Sequence, residues 1–383
     1  MYYMKLQNEE ILKILQSNTP HSTSQWDDYS NFSEKVQNIV NYFISNETIE
    51  KEHIIQILSL KKEDKDRDDL FNVANLIRKT YTGDYINIKG VIEFSNYCKK
   101  NCYYCGLRAK NPSVQRYRMS PKEIIEVANQ AAILGLDTII LQSGEDDRYT
   151  DDDLIYIIRE IRKNTSLPVS LSIGERSFSS YRKFRKAGAV RVLLKHETIN
   201  KNIFKNIHPE KSYDNRIELL RYMNSLGYVT GSGNIIGLPG QTLEDIADDI
   251  LFMRNENIRM IGMGPFIPTE NTPLKNHPRG SGELTLNAYC ATRFCVPRAQ
   301  MPTTTALGTI SPDLQYQGFF AGCNVIMVNI TPEVYRKNYN IYDNKIKVEF
   351  YETYEKIKQL GFSPSKITQK RMEDGNNASN IRL

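Results

Sequence analysis

Eight short runs of β-branched and aliphatic residues recur between Val91 and Val328, with helical patterns separating most of them. They are Val91–Phe94, Thr138–Leu141, Val169–Ile173, Val190–Leu194, Gly233–Ile236, Met260–Phe266, Thr303–Leu307 and Val325–Val328. The intervening helical segments include Pro121–Leu134, Tyr213–Leu226 and Leu243–Arg254. Parallel strands need crossover connections, so this alternation predicts an α/β architecture with a parallel sheet. Eight consecutive units favour a full (β/α)8 TIM-type barrel over a doubly wound sheet, and 383 residues accommodate one.

The flanks read differently. Residues 1–82 form a charged helical extension, with apolar residues at helical spacing in Ile11, Leu12, Ile14 and Leu15. The same spacing recurs in Val36, Ile39, Val40 and Phe43, and again in Leu70, Val73, Ala74 and Ile77. Thr19–Ser30 reads as a polar connection and Ser45–Thr48 as a break between helices. The barrel is expected over 83–346, and 347–383 supplies a helix (Val348–Leu360) and a polar tail.

A hydrophobic fraction of 40% with 25% charged residues suits a soluble globular protein. The net charge of +5 is spread among mixed signs, which favours an anionic small ligand and gives no basic stripe for nucleic acid. The N-terminus has no apolar leader core, and no window approaches the roughly 18 apolar residues of a membrane span. A cytoplasmic protein is the expectation. Six cysteines do not form a disulfide framework: three cluster, while Cys290, Cys295 and Cys323 sit among apolar neighbours as core filler.

The clustered three are the most informative segment: Cys98-Lys-Lys-Asn-Cys102-Tyr-Tyr-Cys105, directly after the first strand. Three thiols so close together can serve one soft metal centre, iron–sulfur or zinc. Structural zinc usually takes four ligands, and no second pair stands nearby. Three cysteines on a 4Fe–4S cube leave one iron open. A zinc-stabilised barrel and a non-catalytic iron–sulfur carrier remain the alternatives at this point.

C-x3-C-x2-C with an aromatic before its last cysteine, at the end of a barrel's first strand, resembles the radical S-adenosylmethionine superfamily. The resemblance implies that the open iron chelates the methionine part of the cofactor and that cleavage yields a 5′-deoxyadenosyl radical. It also implies that Tyr104 packs near the adenine. Gln142-Ser143-Gly144-Glu145-Asp146 resembles the superfamily's Gly-Gly-Glu motif, in which Glu145 would receive the cofactor's ammonium. An ordinary turn with a capping carboxylate is the alternative.

Other strand ends carry further candidates. Ser170 and Ser172 share a face by period two, as do Arg191 and Lys195. An inward pair of cations implies an anionic ligand, whereas outward placement implies surface salt bridges. Glu197 can accept hydrogen bonds from a ribose or amino group, and the forked guanidinium of Arg216 suits a carboxylate. Gly231–Gly240 lacks the spacing of a phosphate loop and is read as backbone brought close to the cofactor, with Ile235 against adenine. Thr303, Thr304 and Thr305 place three hydroxyls in or near the seventh strand.

Longer stretches resemble the FeFe-hydrogenase maturases of the HydE type. They are Ile92-Glu-Phe-Ser-Asn-Tyr-Cys98 through Cys-Gly-Leu-Arg108, Leu141–Asp146, His196-Glu-Thr198, Gly237-Leu-Pro-Gly-Gln-Thr242, Gly264-Pro-Phe-Ile-Pro268 and Asn324-Val-Ile-Met327. The resemblance implies one three-cysteine 4Fe–4S cluster, S-adenosylmethionine, and a role in assembling the hydrogenase's di-iron subcluster. The implied substrate is a small cysteine-ligated iron species with carbonyl and cyanide ligands. Implied partners are an electron donor such as a ferredoxin or flavodoxin, and other hydrogenase maturation proteins. By matched position, Tyr104, Gln142, Glu145, Ser170, Glu197, Arg216 and Ile235 would contact the cofactor. Ser143, Arg191, Lys195, Thr304 and Thr305 would bind substrate, and Met327, Tyr339 and Tyr342 would stand at the reacting position. Lys195 occupies a position where the family pattern leads one to expect arginine, exchanging a fork for a point charge. No cysteine follows the barrel, so no second cluster is expected. Methylornithine synthase and biotin synthase are the rival readings within the superfamily.

Overall fold

The computed structural model describes residues 31–46 and 48–374. The expected helix at Ile11–Leu15, the Thr19–Ser30 connection and the polar end of the tail lie outside the described residues. Among the described residues three helices precede the barrel: α1 (Glu34–Ser45), α2 (Lys51–Leu58) and α3 (Lys65–Thr82). Ten strands follow: β1 (Asn87–Ser95), β2 (Ile139–Ser143), β3 (Val169–Ser172), β4 (Ala189–Leu193), β5 (Val229–Ser232), β6 (Ile235–Ile236), β7 (Met260–Ile261), β8 (Gly264–Pro265), β9 (Pro302–Thr303) and β10 (Val325–Asn329).

Eight of these strands form one parallel sheet in the order β7-β5-β4-β3-β2-β1-β10-β9. A bridge between Met260 and Gln300 joins its two edges. There the Ile261 N–H donates to the Gln300 carbonyl and the Gln300 N–H to the Arg259 carbonyl, each at 2.9 Å. The sheet therefore closes into the expected (β/α)8 barrel and leaves no open edge between these strands.

Crossover helices α4 (Pro121–Ile133), α5 (Asp151–Asn164), α6 (Phe178–Ala187), α7 (Lys201–Ile207), α8 (Tyr213–Ser225) and α9 (Leu243–Asn255) cover the strands. Local chemistry fixes where three of them start. Ser120 with Glu123, Thr150 with Asp153 and Thr242 with Asp245 form reciprocal capping boxes, which satisfy N–H groups that a helix start leaves unpaired. In α5 the buried residues Leu154, Ile157, Ile158 and Ile161 recur at helical spacing, each worth on the order of 1.5–3 kcal/mol of burial. Beyond them come α10 (Gly282–Cys295), α11 (Thr305–Ile310), α12 (Pro312–Phe320), α13 (Glu333–Arg336), α14 (Phe350–Gln359) and α15 (Lys366–Asp374).

The preceding helices are bolted to α10. Arg67, 3% exposed, donates to Asn287 at 2.7 Å and pairs with Glu283 at 2.6 Å, while Asn287 donates to the carbonyls of Leu58 and Leu60. Cys290 and Cys295 lie buried on α10, and Cys323 is buried just before β10. At the other end of the chain, Ser363–Ser365 runs beside Ile86 and covers the bottom of β1.

Three strands differ from the expectation. The fifth runs over β5 and resumes as β6, and the sixth is split into β7 and β8, which pairs with β6 in a separate two-stranded sheet. The cause is a backbone contact at the break: a Cβ on Gly233 would lie 1.9 Å from the Gly262 carbonyl oxygen. The seventh strand stops at Thr303, because the Thr304 side chain caps α11 by accepting the Leu307 N–H. Thr305 therefore opens a helix.

The register places Lys89, Val91 and Glu93 of β1 on the inner face beside Gln142, Ser170, Arg191 and Leu193 of neighbouring strands. Lys89 and Arg191 form the floor, both donating to the Gln300 Oε1, at 2.5 and 2.7 Å. Burial pushes the Lys89 ammonium down to about 7, Arg191 adds to the shift, and Asp137 opposes it.

Candidate active site

The cysteine loop stands at the C-terminal end of β1, the face of a parallel barrel where strand ends and loops converge. Backbone bonds pin it from several sides. Lys99 N–H donates to Glu145 O at 3.0 Å, Tyr103 N–H to Ile207 O at 2.9 Å and Gly106 N–H to Ile341 O at 2.8 Å. Arg116 braces it from below through the carbonyls of Asn96, Leu107 and Arg108. Two glycines permit the close approach: a Cβ on Gly106 would lie 2.2 Å from Asn340 O, and one on Gly144 2.3 Å from Tyr97 O.

The three thiols share this loop and feel one another's charge. Burial pushes Cys102 up to about 12, partly offset by the Lys211 ammonium, and burial raises Cys105 further. Among the described residues no group of three His, Cys, Asp or Glu side chains is gathered for a single metal ion. A cube offers three separate irons, so three thiolates that serve it stand further apart than ligands of one ion.

Beneath the loop lies a cavity of about 370 Å³. Tyr104, Cys105, Gln142, Lys195, Glu197 and Ile235 line it, and so do Thr304, Thr305, Met327 and Tyr342. Lys195 pairs with Glu197 at 3.3 Å. Glu197 has φ +66°; the other non-glycine residues with positive φ among those described are all asparagine. Such a backbone costs about 1–3 kcal/mol and is held here by bonds to Gly233 O and from Ile235 N–H, both 3.0 Å. Tyr104 donates to Glu197 at 3.1 Å.

Other candidates lie outside the cavity's lining. Glu145 is buried; one oxygen takes the Lys211 ammonium and, at 3.1 Å, the Glu175 N–H, while its other oxygen is buried without a hydrogen-bond partner. Ser143, half-buried, donates to Gly144 O at 2.7 Å. Arg216 is buried with its Nε 2.5 Å from Glu175 and one Nη on the Lys195 carbonyl. Burial alone would lower the Arg216 guanidinium, but Glu175 outweighs it and raises it. Burial likewise would raise Glu175, yet Arg216 and Lys211 hold it below the usual range. Tyr339 is buried beneath the Lys345 ammonium, which stands 4.9 Å from its ring. Ser170 and Arg191 face inward but lie in the floor layer; the Ser170 hydroxyl is buried without a partner.

Four residues escaped the sequence reading. Glu93 and Lys345 line the cavity as an ion pair, and Lys211 and His208 stand behind the cysteine loop. Glu93 carried a signal, since period two from Val91 turns it inward at a strand's reactive end. His208 carried none, ending a short helix without periodic meaning.

These features define a class, a parallel barrel with a three-cysteine loop at the C-terminal end of its first strand and a cavity beside it. Residues 92–253 match the Radical SAM superfamily. The FeFe hydrogenase maturase subunit HydE of Thermotoga maritima is 46% identical over 279 residues, 73% of this chain and 80% of that one. The 3-methylornithine synthase of Methanosarcina acetivorans is 26% identical over 302 residues, 78% of this chain and 83% of that one. A crystal structure of methylornithine synthase superposes with a TM-score of 0.77 at 22% identity, covering 88% of this chain and 99% of that one, and attests the fold. The chain belongs to the radical S-adenosylmethionine superfamily, in the family of the HydE maturase.

The residues present fit the cofactors of that superfamily. A buried oxygen of Glu145 lacks a hydrogen-bond donor within the protein, as a group awaiting a ligand's ammonium would, and Glu197 lines the cavity with Lys195 as its partner. Among the described residues no helix is long and apolar enough to cross a membrane.

Proposed function

We propose that this radical enzyme helps assemble the di-iron subcluster of FeFe-hydrogenase, acting on a small cysteine-ligated iron species with carbonyl and cyanide ligands. The observation that carries this reading is one cavity shared by Tyr104 and Cys105 of the cluster loop and by a set of ammonium and hydroxyl groups. Kinship at 46% identity to a HydE maturase supports it.

Cys98, Cys102 and Cys105 would hold one 4Fe–4S cluster, which together with S-adenosylmethionine and an electron from a ferredoxin or flavodoxin would supply a 5′-deoxyadenosyl radical. Glu145 would accept a hydrogen bond from the cofactor's ammonium through its unpaired oxygen, and Glu197, which Tyr104 and Lys195 already hold, would share its oxygens with the cofactor's ribose. Arg216 uses two donors on Glu175 and Lys195 and offers the rest of its fork to the cofactor carboxylate. Gln142 and Ile235 flank the nucleoside, and Tyr104 steadies Glu197 beside it.

Lys195, Lys345, Thr304 and Thr305 receive the substrate. Each ammonium already has a carboxylate partner, Glu197 or Glu93, so the cavity suits a compact anion that shares these donors rather than a highly charged one. Met327 and Tyr342 wall the reacting position, with Tyr339 buried behind Lys345, and exclude water, which a primary radical requires. Ser143 stays outside the lining, bonded to the Gly144 carbonyl, and we assign Ser170 and Arg191 to holding the floor.

The test is maturation. Reduced, cluster-loaded protein with S-adenosylmethionine and the other maturation proteins should activate an apo-hydrogenase, and lysine should not be rearranged. Turnover of lysine without hydrogenase activation would place the chain with the methylornithine synthases instead.

A further inference from the structure

Behind the cysteine loop four side chains form a continuous hydrogen-bonded row. His208 Nδ1 lies 3.2 Å from Cys102 Sγ, and its Nε2 lies 3.4 Å from the Tyr104 hydroxyl. The same hydroxyl lies 3.1 Å from Glu197 Oε1. His208 is 2% exposed and packs edge-on to Tyr104 and against Phe204, so its ring has little room to turn. Its backbone is also fixed, with the N–H donating to Phe204 O at 2.9 Å.

Facing a thiol, either imidazole nitrogen can hold a proton. Facing a thiolate, which has no proton to give, Nδ1 must be the donor. Hydrogen bonds to cluster sulfurs are a principal means by which a protein sets a cluster's reduction potential, because they stabilise the more negative, reduced form.

We infer that His208 is a positioning residue that donates its Nδ1–H to the Cys102 thiolate and raises the midpoint potential of the cluster. Tyr104, edge-on to the ring, holds it in place from the other side. The inference rests on the cluster reading given above.

The experiment compares two substitutions that each keep one half of the imidazole's hydrogen bonding. The side-chain amide of His208→Asn reaches the place of Nδ1 and retains a donor toward sulfur; that of His208→Gln reaches the place of Nε2 and does not. Both variants and the parent protein are reconstituted anaerobically, matched for iron and sulfide, and titrated electrochemically with EPR detection, without S-adenosylmethionine. The expected result is a midpoint near the parent's for His208→Asn and a clearly lower one for His208→Gln. Equal midpoints for the two variants would overturn the inference, whichever way both had moved. A parent protein with no reducible cluster signal would instead remove the cluster reading itself, so the two failures are distinguishable.

Discussion

Lys345, in the segment leading from the last barrel strand to α14, pairs with Glu93 at the top of β1, 252 residues away in sequence. The pair is enclosed: the side chains are 11% and 3% exposed, and Asn329 donates to the other Glu93 oxygen at 2.7 Å. It joins the end of the barrel to its beginning inside the cavity. Lys345→Met strands a buried carboxylate and should cost about 3–5 kcal/mol. Adding Glu93→Gln should recover most of that loss, as urea unfolding of the two variants would measure.

The floor predicts a pH dependence. The Lys89 ammonium titrates near 7 in the native protein against 10.5 when free, so between those values the unfolded chain holds a proton that the native one has released. Stability from this group therefore rises with pH across that window and is flat below it. Lys89→Met should flatten the rise, checked by urea unfolding at intervals through the same range.

Gly144 makes room for the loop. Gly144→Ala would set a Cβ 2.7 Å from Cys98 Cβ and against the Tyr97 carbonyl, and neither backbone can withdraw. The expected outcome is a destabilisation of about 1–3 kcal/mol, with reduced iron content after reconstitution.

Glu145→Gln and Glu197→Gln should each weaken S-adenosylmethionine binding by roughly 10-fold or more, since a charge-assisted hydrogen bond contributes about 1.5–3 kcal/mol. Anaerobic equilibrium dialysis of the cluster-loaded variants would measure it. Unchanged affinity in both would remove these carboxylates from the cofactor site.

Much of the barrel was legible because period-two runs and helix caps are local signals. The breaks in the fifth and sixth strands were not, since they depend on Gly233 meeting Gly262 across the sheet. Thr304 and Thr305 read as strand residues because a threonine cap and a β-branched strand look alike until the helix is seen. Arg191 and Lys195 illustrate another limit. Alternation gave the face on which each stands but not its height, and height separates a floor residue from a cavity residue. Lys345 and His208 act through partners far away in sequence, which periodicity cannot register.

The central claim, radical chemistry from a cluster on this loop, is tested most directly by reductive cleavage. Reconstituted protein given dithionite and S-adenosylmethionine under anaerobic conditions should form 5′-deoxyadenosine, and the triple variant Cys98→Ala, Cys102→Ala, Cys105→Ala should form none. An intact cluster spectrum in the parent protein with no deoxyadenosine would contradict the account and leave an iron–sulfur carrier in its place.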